Sequence, residues 1–134
     1  MKVRELMTGG LVCVSPETPV VDARQMMITK QIRHLLVTED RRLLGIVTDR
    51  DIRLNLPSQA TSLSVWEMNY LLARLTVGEV MTKGVIVIGP DREARDAARL
   101  MMEHKIGALP VVDEDHLIGI VTETDFLRAF VHGR

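Results

Sequence analysis

The sequence predicts an α+β fold made of two tandem β-α-β-β-α repeats packed about a pseudo-two-fold axis. Three observations carry this. First, sliding the chain by 74 residues lays Val3–Leu54 on Val77–Arg128 without a gap, about a third of the pairs being identical. Self-similarity at a fixed period marks a duplicated structural unit. Second, both copies show the same succession of apolar runs, turn signals and helical periodicity. Third, both close on the same stretch, Gly45-Ile46-Val47-Thr48-Asp49-Arg50-Asp51 and Gly119-Ile120-Val121-Thr122-Glu123-Thr124-Asp125. Two copies are too few for a solenoid or propeller. The expected layout is a first repeat over 1–56, a connector over 57–76 and a second repeat over 77–134.

In chain order, Val3–Met7 has the spacing of a short helical turn before the bend at Thr8-Gly9-Gly10. Leu11–Ser15 is β-prone and ends at Pro16. Thr18-Pro19 reads as a capping residue followed by proline at the first helical position, with the helix running to about Lys30. His34–Thr38 and Leu43–Val47 are apolar strands joined by the polar loop Glu39-Asp40-Arg41-Arg42, a hairpin signal. Thr48 then caps a further helix. The second copy repeats the order: strand Val85–Ile88, helix Ala94–His104, hairpin Ala108–Val112 with Leu117–Val121, and a last helix from Glu123 to about Val131. Paired methionines (Met26-Met27, Met101-Met102) fall at core spacing and read as core filler.

The connector has no partner in the duplication. It opens on a turn-prone piece, Leu56 to Ser62, and continues as a helix over 64–75, capped by Ser64 with Glu67 three residues on. Val65, Trp66, Met68, Tyr70, Leu71, Leu72 and Leu75 leave that helix little polar face, so it needs cover on two sides. Two readings stand: packing onto its own halves, or a dimer contact centred on Trp66 and Tyr70, residue types enriched at interface centres.

Composition excludes several classes. Among 134 residues, 46% are hydrophobic and 26% charged, with a formal net charge of −1. That balance offers nucleic acid or an acidic membrane no electrostatic footprint, and 3% aromatic residues supply no base-stacking platform. One cysteine, Cys13, forms no internal disulfide, and the opening residues carry no signal-peptide pattern. A cytoplasmic protein is expected. His34, His104, His116 and His132 lack metal-ligand spacing, no phosphate-binding glycine loop is present, and Cys13 has no positioned base. No catalytic residue, metal or covalently bound cofactor is assigned, and the chain is read as a non-enzyme.

The chemistry concentrates at Thr48-x-x-Asp51 and Thr122-x-x-Asp125. A helix start exposes unpaired N–H groups that suit an anion, and a carboxylate held there can accept hydrogen bonds from a sugar diol. The same spacing is also a self-sufficient capping arrangement. Arg50 and Arg53 lie on the first turn of the first site helix, as a phosphate anchor or as a solvated face. His34 reads as a site residue or as a core histidine bonded to backbone.

Taken together, the motifs (Met-Thr, strand, proline, helix ending near methionine, hairpin, then Gly-apolar-apolar-Thr-x-x-Asp, twice in register) resemble a CBS domain pair, the disc-like Bateman module. The likeness covers Val3–Leu54 and Val77–Phe130. The stretch from Leu56-Pro57-Ser58 to Asn69-Tyr70-Leu71-Leu72 resembles the connector of AcuB-type CBS proteins, without room for the ACT domain those usually carry. The resemblance implies regulatory clefts for adenosine-containing ligands such as AMP, ADP, ATP, NAD or S-adenosylmethionine. Carried over, Asp51 and Asp125 would take ribose hydroxyls, and Thr48 and Thr122 would approach ribose or phosphate. Val12, Val14, Ile86 and Ile88 would flank adenine, as would His34 and Leu35, and Ala108, Leu109 and Pro110. A homodimer and an unidentified protein target are implied as partners; the alternative is a ligand-free oligomerisation or interaction module. The copies differ at the site: Thr124 and Leu127 replace Arg50 and Arg53, Pro110 replaces Leu36, and Gly107-Ala108 replace Arg33-His34. The expectation is that the Asp51 position prefers phosphorylated ligands and the Asp125 position a less charged adenosyl group.

Overall fold

The computed structural model describes residues 1–55 and 64–133. In order it contains α1 (Val3–Leu6), β1 (Cys13–Val14), α2 (Val20–Lys30), β2 (His34–Glu39), β3 (Arg42–Thr48), α3 (Asp49–Leu54), α4 (Val65–Arg74), α5 (Val77–Val80), α6 (Ala94–His104), β4 (Ala108–Asp113), β5 (His116–Thr122) and α7 (Glu123–His132). These form a mixed α+β structure of two units, one of residues 12–85 and one of residues 1–11 with 86–134.

In the first unit, β1 runs parallel to β2 and β2 antiparallel to β3. Its core is Val14, Val20, Ala23, Met27, Leu35, Val37, Val47 and Ile52, joined by Val77 and Val80 of α5. The second unit has the β4–β5 hairpin, and its core is Ile88, Ala97, Met101, Leu109, Val111 and Val121 with Val3 and Leu6 of α1. Every one of these second-unit positions lies 74 residues from a core position of the first. Alternation along the hairpin strands and the three-to-four spacing on α2 and α6 place these side chains on one face. Sequence copy and contact unit nevertheless divide the chain differently. The opening helical turn of each copy, α1 or α5, packs in the unit that holds the other copy's hairpin.

Several local expectations are corrected. The hairpin loops have two residues, not four: Asp40-Arg41 and Glu114-Asp115, all at positive φ (48° to 67°). Two successive residues there give the turn whose twist matches the flanking strands. Pro19 is the cap of α2 and makes no side-chain cap bond. Thr18 Oγ1 instead accepts from Ser15 N (3.2 Å), and Leu75 O takes the N–H of Val20 (2.8 Å). The Ser64 cap is as expected, accepting from Glu67 N at 3.2 Å. The turn-prone piece Leu56–Ser62 lies outside the described residues.

The first strand shrinks to Cys13–Val14 in one copy, and in the other Val85–Ile88 reduces to a single bridge between Ile88 and Val111. One aligned difference accounts for the contrast. Leu36 N donates to Val12 O (3.2 Å) and continues the parallel ladder. Its counterpart Pro110 has no N–H to give to Ile86 O, which leaves the pairing with the two bonds of Ile88, its N to Pro110 O (3.1 Å) and Val112 N to its O (2.9 Å).

A Met-Thr segment lies along the last strand of each hairpin. Ile46 and Thr82 exchange backbone hydrogen bonds (3.1 and 2.8 Å), as do Thr8 and Ile120 (2.9 and 3.1 Å). Gly45 and Gly119 permit this approach. A Cβ on Gly45 would stand 2.7 Å from Thr82 O, and one on Gly119 2.6 Å from Met7 Sδ. The first obstacle is backbone and the second the end of a flexible thioether. Gly45→Ala is therefore expected to cost about 1–3 kcal/mol in urea denaturation, and Gly119→Ala clearly less. Equal costs, or a larger one at Gly119, would contradict the close-approach account.

Candidate functional site

The site grows out of strand register. His34 opposes Thr48 and Ala108 opposes Thr122, so each hairpin delivers its site helix beside the start of the preceding strand. The helix is tied back by Asp49 N to Arg33 O (3.0 Å) in one copy and Glu123 N to Gly107 O (3.3 Å) in the other. Thr48 and Thr122 have extended backbone (φ −115° and −122°) and stand as the caps of α3 and α7.

The carboxylates turn back onto those caps. Asp51 Oδ2 accepts from Thr48 N (2.9 Å) and Thr48 Oγ1 (3.0 Å), while Thr48 Oγ1 accepts from Asp51 N (3.1 Å). Asp125 Oδ2 accepts from Thr122 N (2.8 Å) and Thr122 Oγ1 (3.2 Å). The second oxygen receives the Met-Thr segment: Thr82 Oγ1 donates to Asp51 Oδ1 (3.3 Å) and Thr8 Oγ1 to Asp125 Oδ1 (3.1 Å). Arg128 Nη1 adds a further bond to Asp125 Oδ1 (3.2 Å). Thr8, Thr82 and Arg128 are the residues that sequence reasoning missed at this site. The signal for the threonines was the Met-Thr pair repeated at the 74-residue offset.

The other candidates divide by burial. His34 and Ala108 are half-buried at the strand ends beside the caps, and Val12 and Ile86 are half-buried against the two cores. Val14, Leu35, Ile88, Leu109 and Pro110 are buried, with the first four in the core clusters. Those five have backbone rather than side chain to offer a ligand. Arg50 and Thr124 are exposed. Arg53 is engaged on its own helix, Nε to Asp49 Oδ2 at 3.0 Å, an exposed pair of small energetic weight.

Burial lowers the His34 pKa from its usual 6.5, because desolvation disfavours the imidazolium. Burial also pushes the Cys13 thiol up, against the smaller opposing effect of its hydrogen bond with Thr38, which keeps it in its poorly nucleophilic form. Among the described residues no group of three or more His, Cys, Asp or Glu is placed to hold a metal ion. No described helix is long and apolar enough to cross a membrane.

The geometry is that of a known family. The CBS domain family model matches residues 3–58 and 77–132. The curated protein YhcV of Bacillus subtilis, a CBS domain-containing protein, is 32% identical over 123 residues, covering 92% of this chain and 81% of its own. Several other curated relatives are enzymes of which the chain spans only 19% to 23%. Among solved structures, AcuB from Vibrio cholerae superposes with a TM-score of 0.84 at 31% identity, over 98% of this chain and 91% of that one. CBSX2, named in Arabidopsis thaliana, was solved in complex with AMP; it gives 0.82 at 35% identity, over 98% and 97%.

The His34 environment has a consequence for stability. The unfolded chain takes up a proton near pH 6.5 that the folded chain resists, so stability falls as pH drops through that value and levels off above it. The urea midpoint is expected to be lower at pH 5.5 than at pH 7.5, with part of that difference removed by His34→Gln. A difference unchanged in the variant would show that His34 is not the group responsible.

Proposed function

The chain belongs to the CBS domain family, and we propose that it is a regulatory module binding an adenosine-containing ligand at the carboxylates that open its site helices. The observation that carries this reading is Asp51. Its Oδ2 is taken by the cap, while its Oδ1 accepts from Thr82 alone among the described residues. A carboxylate has about four acceptor positions, so one is left for a ribose hydroxyl. From β3 across β2 to β1 is two strand spacings, roughly 10 Å. On this reading a base reaching that way meets His34 and then the backbone near Val12. The AMP complex of CBSX2, at 35% identity over 98% of the chain, supports the ligand class. AMP, ADP, ATP, NAD and S-adenosylmethionine are the candidates.

The proposed role is regulatory rather than catalytic, in the cytoplasm, with a protein target that reads a ligand-dependent shift in conformation or association. The test is mass spectrometry of small molecules released from the purified protein, then thermal shifts with the five candidates. A ligand at 100 times its dissociation constant adds about 2.7 kcal/mol, or roughly 10 °C for a chain of this length. Asp51→Asn is expected to remove most of the shift. A shift untouched in that variant excludes Asp51 as the acceptor; no released ligand and no shift with any candidate rejects the sensor reading.

A second reading, association, is favoured by a separate observation. On α4, Trp66 is 83% and Tyr70 57% exposed, the latter stacked under Arg74 at 4.4 Å. Neither is covered by the described residues of its own halves. We place a homodimer contact there, with Trp66 as the anchor. Sedimentation equilibrium is expected to find a dimer whose dissociation constant rises about 30-fold or more in Trp66→Ala, the loss of an interface anchor. A monomeric wild type, or an unchanged constant, removes α4 from the interface.

A further inference from the structure

We propose that Arg128 is a specificity determinant that weakens Asp125 as an acceptor for vicinal diols, leaving Asp51 as the stronger diol acceptor. The inference rests on the ribose-binding reading above and goes beyond it by separating two positions that share one motif. Asp125 is 4% exposed and its two oxygens receive four donors: Thr122 N and Thr122 Oγ1 on Oδ2, Thr8 Oγ1 and Arg128 Nη1 on Oδ1. That fills the acceptor capacity of a carboxylate. Asp51 is less buried and receives three donors among the described residues: Thr48 N and Thr48 Oγ1 on Oδ2, and Thr82 Oγ1 on Oδ1.

The fourth donor comes from one aligned position. Arg128 lies 74 residues after Leu54, which is 72% exposed and brings no polar group to Asp51. A diol donating two hydrogen bonds to Asp125 must displace Arg128 or Thr8, whereas at Asp51 one position is open at the outset. The Arg128 side chain is 61% exposed, so it competes with a ligand instead of blocking it. An ion pair solvated on one side is modest, and the expected handicap is about three- to tenfold in affinity.

The experiment exchanges the two aligned residues and uses two neutral probes, adenosine and 2′,3′-dideoxyadenosine, so that no phosphate is drawn to the guanidinium. In Asp51→Asn protein, which reports on Asp125, Arg128→Leu is expected to tighten adenosine three- to tenfold by calorimetry. It should leave the dideoxy probe unchanged. In Asp125→Asn protein, Leu54→Arg is expected to weaken adenosine by a similar factor, again without effect on the dideoxy probe. Both exchanged side chains are largely exposed, which keeps the fold out of the comparison. No gain for adenosine on Arg128→Leu, or equal gains for both probes, overturns the inference. If wild type is stabilised by an adenosine-containing ligand, that failure concerns Arg128 alone; if no candidate stabilises wild type, the nucleoside reading fails with it.

Discussion

One backbone pairing in each unit, Thr82 on Ile46 in the first and Thr8 on Ile120 in the second, holds that unit and its candidate site together. A hairpin with one helix behind it leaves an apolar face and an unpaired edge. The Met-Thr segment covers the edge, and the helical turn before it carries two apolar side chains into the core: Val77 and Val80 in one unit, Val3 and Leu6 in the other. The pairing spans 36 residues from Ile46 to Thr82 and 112 from Thr8 to Ile120. Loop closure depends on the logarithm of length, so the longer closure costs only about 1 kcal/mol more. The same local contacts therefore suffice for both. They also set the site, because the residue that pairs is the one whose hydroxyl reaches the carboxylate.

Duplication keeps the core and lets the edges drift. Each apolar position of the second core has a counterpart in the first, since a packed interior tolerates few changes of volume. The edge is freer. Pro110 in place of Leu36 removes one N–H, shortens a strand to a bridge and leaves the rest of the hairpin in register. The αL residues that end α2 and α6, Gln31 and Lys105, are likewise aligned and likewise not glycine. In both copies the next residue ties the turn back, Ile32 N to Met27 O and Ile106 N to Met101 O (3.0 Å each), and packs against its core.

The elements were legible because two copies in register give each pattern a second reading: helix α6 falls on Ala94–His104 as its periodicity indicates. The connector has no second copy, and Ser64 was legible as the cap of α4 because its signal is local. The misreadings are local. Asp40-Arg41 and Glu114-Asp115 lack the glycine or asparagine that normally advertises a two-residue turn, so the loops read as longer. Thr18 resembled a cap, but its hydroxyl serves the preceding turn. The site was half legible. Thr-x-x-Asp is contiguous and declares itself, whereas Thr8 meets Asp125 across 117 residues and Thr82 meets Asp51 across 31. Periodicity reports which face of an element is apolar and says nothing of which distant segment lies against it.

Capping and ligand binding are not rival accounts of Asp51. The cap engages one oxygen with two donors and so fixes the plane of the carboxylate, and the other oxygen is turned toward Thr82. A ligand hydroxyl arriving there finds an acceptor whose rotamer is already chosen, which removes part of the ordering cost of binding. It also finds Thr82 as a competitor or a companion, since a hydroxyl rotates freely to donate elsewhere or to accept. Thr82 sits on the segment that pairs with β3 and follows α5. The same segment carries Val77 and Val80 to the core. On the proposed reading this one side chain joins the ligand-binding carboxylate to the segment that completes the core.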